Sequence, residues 1–374
     1  MFNILTIDVE DYFQVHALSN VIKFEDWGNY ECRIERSVGR ILEILSEAGH
    51  NSNFKTQNSK LNDSVPSPQH MKPQHSSTSA LKNNSELSTQ NSKLDHSISH
   101  SLNKSFTQRT QATFFVLGWI AKRYPGLVQR IQKLGHEIAC HGYAHKLVYQ
   151  QSKEEFRQDI RKSKAILEDI TGCEVIGYRA PSYSITNKSR WAFEVLVEEG
   201  FKYDSSIFPI RHDFYGMPDA PRFPFVISLN GNNNFEFLML NFELNTFQNS
   251  KLISQNSKVN VQNSRFIAEF PLSTVKLLGQ NFPTSGGGYF RLFPYPIIRG
   301  ALGSINEKEQ KPFIFYIHPW EIDPEQPRVN GLSSRSKFRH YVNLDKTEER
   351  FSRLLKDFNF SSVKEIMQLN NLLT

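Results

Sequence analysis

A chain of 374 residues has room for one large α/β domain or two modest ones. Its net charge of +6 comes from scattered lysines and arginines without a stripe of interleaved basic and aromatic residues. That excludes a nucleic-acid-binding face and leaves a mild attraction to anionic glycans or lipid headgroups. The cysteines Cys32, Cys140 and Cys173 form no C-x-x-C, which excludes a disulfide framework and fits a reducing compartment. The opening residues carry acids where a signal peptide needs basic residues, and no apolar run reaches membrane-spanning length, so a cytoplasmic location is expected.

Residues 2–7 predict a short buried strand ending at Asp8-Val9-Glu10-Asp11. Acids at such a place are costly unless partnered, and strand C-termini are where α/β folds assemble their sites. Tyr12, Phe13 and Val15 would enclose them; a solvated acidic turn is the plainer alternative. Residues 33–48 predict a helix with an apolar stripe of Ile34, Val38, Ile41, Leu42 and Leu45, stopped by Gly49. From 51 to about 111 the chain turns to Ser, Asn, Gln, Lys and His, too polar to offset its ordering entropy, and a disordered polar insert is expected over 51–111. Its unit Q-N-S-K-L starts at Gln57 and Gln90 and returns at Gln248, with related copies at Gln255 and Gln262, marking a second polar insert over 229–265. The histidines of the first insert are read as bystanders.

Residues 112–116 predict a strand, 120–134 a helix with Pro125 near its start, and 138–140 a short strand. That strand leads to His141 and His145. On a helical turn, a spacing of four puts both imidazoles on one face, where they could close on one divalent metal. The protease motif H-E-x-x-H is not met, because the histidine after His136-Glu137 comes one place late. Cys140 reads as a small buried residue. Residues 152–170 predict an amphipathic helix, 175–178 a strand ending at Arg179-Ala180-Pro181-Ser182-Tyr183, and 189–199 a helix followed by Tyr203-Asp204. This alternation predicts parallel strands with crossover helices, hence a barrel or doubly wound sheet. Further on, 269–271 reads as a strand. Residues 285–291 read as a glycine loop, a lid or a close backbone approach to a sugar, lacking the Lys-Ser/Thr of a phosphate loop. Residues 312–317 predict a buried strand ending at His318-Pro319-Trp320-Glu321, and 347–358 and 362–369 two helices.

With acids after the first strand, H-x3-H after the third, R-A-P after the fourth and His318 after the last, the chain resembles the polysaccharide deacetylases of carbohydrate esterase family 4. It is most similar to the branch with a D-x-E/D opening found beside exopolysaccharide gene clusters. The resemblance covers residues 1 to about 49, 111 to about 227, and 266 onward, within a single catalytic domain over 1–374. It implies a distorted seven-stranded (β/α) barrel and removal of N-acetyl groups from an amino-sugar unit with a divalent metal, zinc being expected. By motif, Asp8 would be the general base, His141 and His145 metal ligands, Arg179 the residue orienting Asp8, and His318 the general acid. The usual family opening is two adjacent aspartates, so the metal carboxylate is either Glu10, which shares a strand face with Asp8 and is favoured, or Asp11. A backbone N–H near Tyr183 would stabilise the tetrahedral intermediate. Asp204 could keep His318 protonated, and Tyr183, Asp204 and Trp320 are the expected substrate contacts, the aromatic rings stacking on sugar faces. Two rivals remain: a cyclic-amide hydrolase of the allantoinase kind on the same fold, and an inactive carbohydrate-binding module.

Overall fold

The computed structural model describes residues 1–61, 110–229, 235–240 and 265–373. The chain divides into two units, Met1–Ile44 with Gln111–Thr374, and Leu45–Thr110. The larger unit is built on parallel strands: β1 (Phe2–Val9), β2 (Thr113–Val116), β3 (Glu137–Cys140), β4 (Gly177–Tyr178), β5 (Tyr203–Asp204), β8 (Arg265–Glu269) and β11 (Ile314–Ile317). They pair in the order β11-β1-β2-β3-β4-β5-β8, all in parallel register, seven positions around a distorted (β/α) barrel. The short β12 (Asn359–Ser361) pairs with the start of β1 below β11. Antiparallel β6 (Phe225–Leu229) and β7 (Phe235–Met239) extend the sheet beyond β8. Between β8 and β11 the seam is closed by loop atoms: the Ile314 N–H donates to Ser273 Oγ at 2.7 Å and the Tyr316 N–H to the Ser285 carbonyl at 2.7 Å.

Helices cover the outside because each presents one apolar face. Helix α1 (Ile34–Leu61) buries Ile34, Val38, Ile41, Leu42 and Leu45. Helix α4 (Lys153–Thr171) starts in a Ser152/Glu155 capping box and ends at Gly172, whose φ of 64° is the left-handed turn a helix stop needs. Gly49 does not take that conformation, so α1 runs on through it to Leu61 and does not stop where expected. The Q-N-S-K-L copy at 57–61 is its last turn; most of the two expected inserts lies outside the described residues. The helix expected at 120–134 is two helices, α2 (Gly118–Arg123) and α3 (Pro125–Lys133), because a proline ring drives the residue before it, Tyr124, out of the helical region. Strand β7 lies inside the segment expected to be a polar insert, where Phe235, Phe237 and Leu238 supply apolar surface that the repeats after them lack.

The glycine run is part of the barrel wall and not a free lid. Gly286 (φ 133°) makes a parallel bridge to Tyr316 of β11, and a Cβ there would lie 1.9 Å from the Tyr316 carbonyl oxygen. The close approach is to the barrel's own strand, and Gly287 onward opens helix α6 (Gly287–Leu292). Gly286→Ala should therefore cost about 3 kcal/mol in urea unfolding, from backbone strain and displacement of β11. Gly288→Ala, with its nearest neighbour at 3.9 Å, should be neutral or slightly stabilising. Equal stability of the two variants would contradict this reading.

Candidate metal centre and active site

The C-terminal ends of β1, β3, β4 and β11 deliver the ionisable residues to one rim. Period two along β1 puts Thr6, Asp8 and then Glu10 on one side. Asp11 faces the other way, accepting the backbone N–H of Tyr12 at 2.8 Å and of Arg33 at 2.6 Å, the latter just ahead of α1. Burial raises its pKa. Glu10 is the carboxylate that stands with the histidines: ligand atoms of Glu10, His141 and His145 all lie within 4.8 Å of one another.

The two histidines do not meet on a helical turn as expected. Residues 141–145 form a loop after β3, with Gly142 at φ 72° and His145 at φ 52°. Helix α4 braces it: Asp159 accepts the Tyr143 N–H at 2.8 Å and Ser163 donates to the Gly142 carbonyl at 3.0 Å. His141 Nδ1–H donates to the Arg179 carbonyl at 2.8 Å, which leaves Nε2 with its lone pair for a ligand. Burial pulls the His141 pKa down to about 4, so the ring is neutral, as a metal ligand must be. Burial pushes Glu10 up, but the imidazoles of His145, His318 and His141 outweigh it and hold the carboxyl at about 2. Glu10 Oε2 is buried 2.6 Å from His145 Nε2 without a hydrogen bond of acceptable geometry. An orphaned carboxylate oxygen beside two imidazoles fits a divalent cation, and this donor set leaves open coordination positions. Cys140 is not part of it: its thiol is buried and pushed up to about 12, chiefly by that burial.

Asp8, 1% exposed, is clamped by Arg179, which is 0% exposed. Arg179 Nη1 donates to Asp8 Oδ1 and to Thr6 Oγ1, both at 2.7 Å, while Nε and Nη2 reach the Ser205 carbonyl and hydroxyl. Asp8 Oδ2 is left toward His318, whose Nε2 is 3.8 Å from it and 3.3 Å from Glu10 Oε1. The Tyr183 hydroxyl donates to the same Oδ2 at 3.4 Å. The oxyanion donor is expected to be a backbone N–H near Tyr183; the N–H of Tyr183 itself donates to the Ala180 carbonyl at 3.0 Å within a tight turn.

Two expected contacts fall elsewhere. Asp204 does not hold the His318 proton. It is 0% exposed and accepts from the Ser206 hydroxyl and N–H, with Glu269 as its neighbour. Burial raises both of these carboxyls, as expected for two acids sharing one enclosed place. Trp320 is not an open platform for a sugar, because its ring lies between His318 (5.4 Å, 24°) and His340 (4.4 Å, 13°). The partner of His318 is Glu321, whose Oε2 takes Nδ1–H at 2.9 Å and the His318 backbone N–H at 2.9 Å. Arg291 in turn donates to Glu321 Oε1 at 2.7 Å and to the carbonyls of Arg339 and His340. Burial raises Glu321, yet Arg291 and His318 hold it at about 2. The spacing H-x2-E was visible in the sequence as a possible capping box around His318; Arg291 carried no signal of its role.

Residues 96–197 match the polysaccharide deacetylase family model, and residues 247–368 match a domain of unknown function, DUF3473, which takes in Arg291, His318, Glu321 and His340. The chain is 31% identical over 103 residues to a peptidoglycan deacetylase of Helicobacter pylori, covering 28% of this chain and 33% of that protein. It is 35% identical over 94 residues to a peptidoglycan-N-acetylglucosamine deacetylase of Bacillus cereus, covering 25% and 34%. The chain thus spans about a third of the length of these relatives. A putative polysaccharide deacetylase structure from Mycobacterium smegmatis aligns over 71% of this chain and 74% of that one, at 17% identity and a TM-score of 0.40. The family match takes in His141, His145 and Arg179.

Proposed function

We propose that this protein hydrolyses the N-acetyl group of an amino-sugar unit in a polysaccharide or its precursor. Glu10, His141 and His145 would hold a divalent cation, zinc by the donor set of two imidazoles and a carboxylate. The observation that carries the reading is the meeting of that trio with Asp8–Arg179 and His318 inside one buried rim. The names of the relatives, both peptidoglycan deacetylases, support the substrate class. We assign the reaction to the cytoplasm, supported by three free cysteines, and to a glycan handled before export, in line with the exopolysaccharide-associated resemblance.

A bound cation supplies a charge that polarises the acetyl oxygen and makes water a better nucleophile. The remaining chemistry belongs to side chains of the chain itself. Asp8 takes the water's proton through Oδ2, because Oδ1 is committed to Arg179 and the carboxylate cannot rotate away. His318 gives a proton to the leaving amine through Nε2, because Nδ1 is committed to Glu321. Burial disfavours the charged imidazole, but Glu321 and Glu10 outweigh it and raise His318 from 6.5 to about 9. The proton thus strengthens the folded, metal-free protein most fully below pH 6.5, and that contribution is lost as pH rises through about 9. A cyclic-amide hydrolase would use the same parts. An idle binding module would carry the desolvation cost of the buried Asp8, Glu10, His141 and Arg179 without using them.

Purified protein should release acetate from members of a panel of N-acetylated glycans, and a chelator should abolish that release until the metal is restored. His141→Ala, with unfolding unchanged, should lower acetate release at least about 100-fold. Ring opening of cyclic amides without acetate from any glycan would replace this reading with its rival. Glu321→Gln removes the charge that favours imidazolium while burial stays, so the His318 ring followed by NMR in the metal-free protein should titrate well below the wild-type value of about 9. The alkaline limb of activity should move the same way, and an unmoved His318 titration would show that Glu321 does not hold the proton.

A further inference from the structure

The exposed arginines on the outer helices mostly face acids: Arg36 meets Glu325, Arg161 meets Glu199, and Arg40 meets Glu43 and Glu348. Helix α8 (Ser334–Tyr341) departs from that pattern. Arg335, Lys337 and Arg339 are exposed, and among the described residues none has an acid within ion-pair distance. This helix is not remote from the active site. Its buried His340 stacks on Trp320, which stacks on His318, and its flank packs on the turn His16–Leu18.

A second element meets α8 at the same rim. In segment 210–216, Tyr215 lies 6.0 Å from the ring of Tyr183, whose hydroxyl reaches Asp8. His212 stacks on Tyr215 at 3.8 Å and 11°, and Phe214, 53% exposed, lies between His212 and His16. Arg335 and Arg339 act electrostatically on His212, and Arg339 on Tyr215 as well; the opposing charge on His212 is the single exposed acid Asp213. The rim next to Asp8 and His318 therefore combines solvent-facing aromatic surface with unpaired guanidinium groups. Aromatic surface suits the apolar face of a sugar ring, and unpaired guanidinium forks suit carboxylate or phosphate oxygens.

We propose that helix α8 and segment 210–216 form a subsite for a negatively charged group, a carboxylate or phosphate, carried next to the acetylated sugar. The inference rests on the deacetylase reading for the position of the acetylated unit, and it narrows the substrate to an anionic one. A uronate residue in a polymer and the diphosphate linkage of a precursor share this chemistry.

The test compares three probes on the metal-loaded full chain: a neutral N-acetylglucosamine tetramer, a tetramer alternating N-acetylglucosamine with glucuronate, and a diphosphate-linked N-acetylglucosamine. Acetate release should favour one of the anionic probes, and raised ionic strength should shrink the preference; which probe wins identifies the source of the charge. Arg335→Gln with Arg339→Gln should raise KM for that probe about tenfold relative to the neutral tetramer, the effect of losing two exposed charge contacts. Equal use of neutral and anionic probes, unmoved by the double variant, would overturn the subsite and leave the deacetylase reading standing. If no probe yields acetate, calorimetric binding separates the two readings. Anion binding that the double variant loses supports the subsite while the deacetylase reading falls; absence of anion binding overturns the subsite.

Discussion

A guanidinium enclosed entirely by protein organises this molecule. Arg179 has no solvent exposure, and its charge is met by Asp8, by the hydroxyls of Thr6 and Ser205, by the Ser205 carbonyl and by the face of Phe115 at 4.2 Å. Its own carbonyl fixes the ring of His141. One residue thus couples β1, β4 and β5 to the histidine after β3. Stranding one member of such a buried pair costs about 3–5 kcal/mol, so the arrangement is self-enforcing: the barrel that encloses Arg179 must also bring Asp8 and His141 to the same end.

A second charge chain of the same kind lies on the other side of the rim. Arg291 holds Glu321, Glu321 holds His318, and His318 turns its free nitrogen toward Asp8 and Glu10. The neutral ring of His340, pulled down to about 3 by burial and by Arg291, packs Trp320 against His318 and keeps it from swinging. The acid and the base are therefore each oriented from behind by an arginine, Asp8 directly and His318 through Glu321. Their free atoms face one another across less than 4 Å.

Much of this was legible in the sequence wherever a rule of local periodicity applied. Alternation along β1 separates Asp8 and Glu10 from Asp11, and apolar strands ending in Arg179 and His318 mark their own C-termini. The parts that were not legible depend on conformation or on distance along the chain. The histidine pair meets through a loop because Gly142 and His145 take positive φ, which a spacing of four cannot reveal. Glu321 finds Arg291 thirty residues away, and Asp204 is drawn to Glu269 on β8 instead of to His318. The glycines at 286 and 287 report contact with Tyr316, and composition gives no hint of which neighbour needs the space. Strand β7 was obscured by the asparagine-rich run before it and the polar repeats after it.

The central claim is that Glu10, and not Asp11, completes a cation site with His141 and His145. Equilibrium dialysis against a divalent metal, followed by elemental analysis, tests it on wild type, Glu10→Gln and Asp11→Asn. The account predicts a single ion per chain for wild type and for Asp11→Asn, and affinity weakened at least about tenfold for Glu10→Gln. Undiminished binding by Glu10→Gln, or loss of binding by Asp11→Asn with the fold intact, would contradict it.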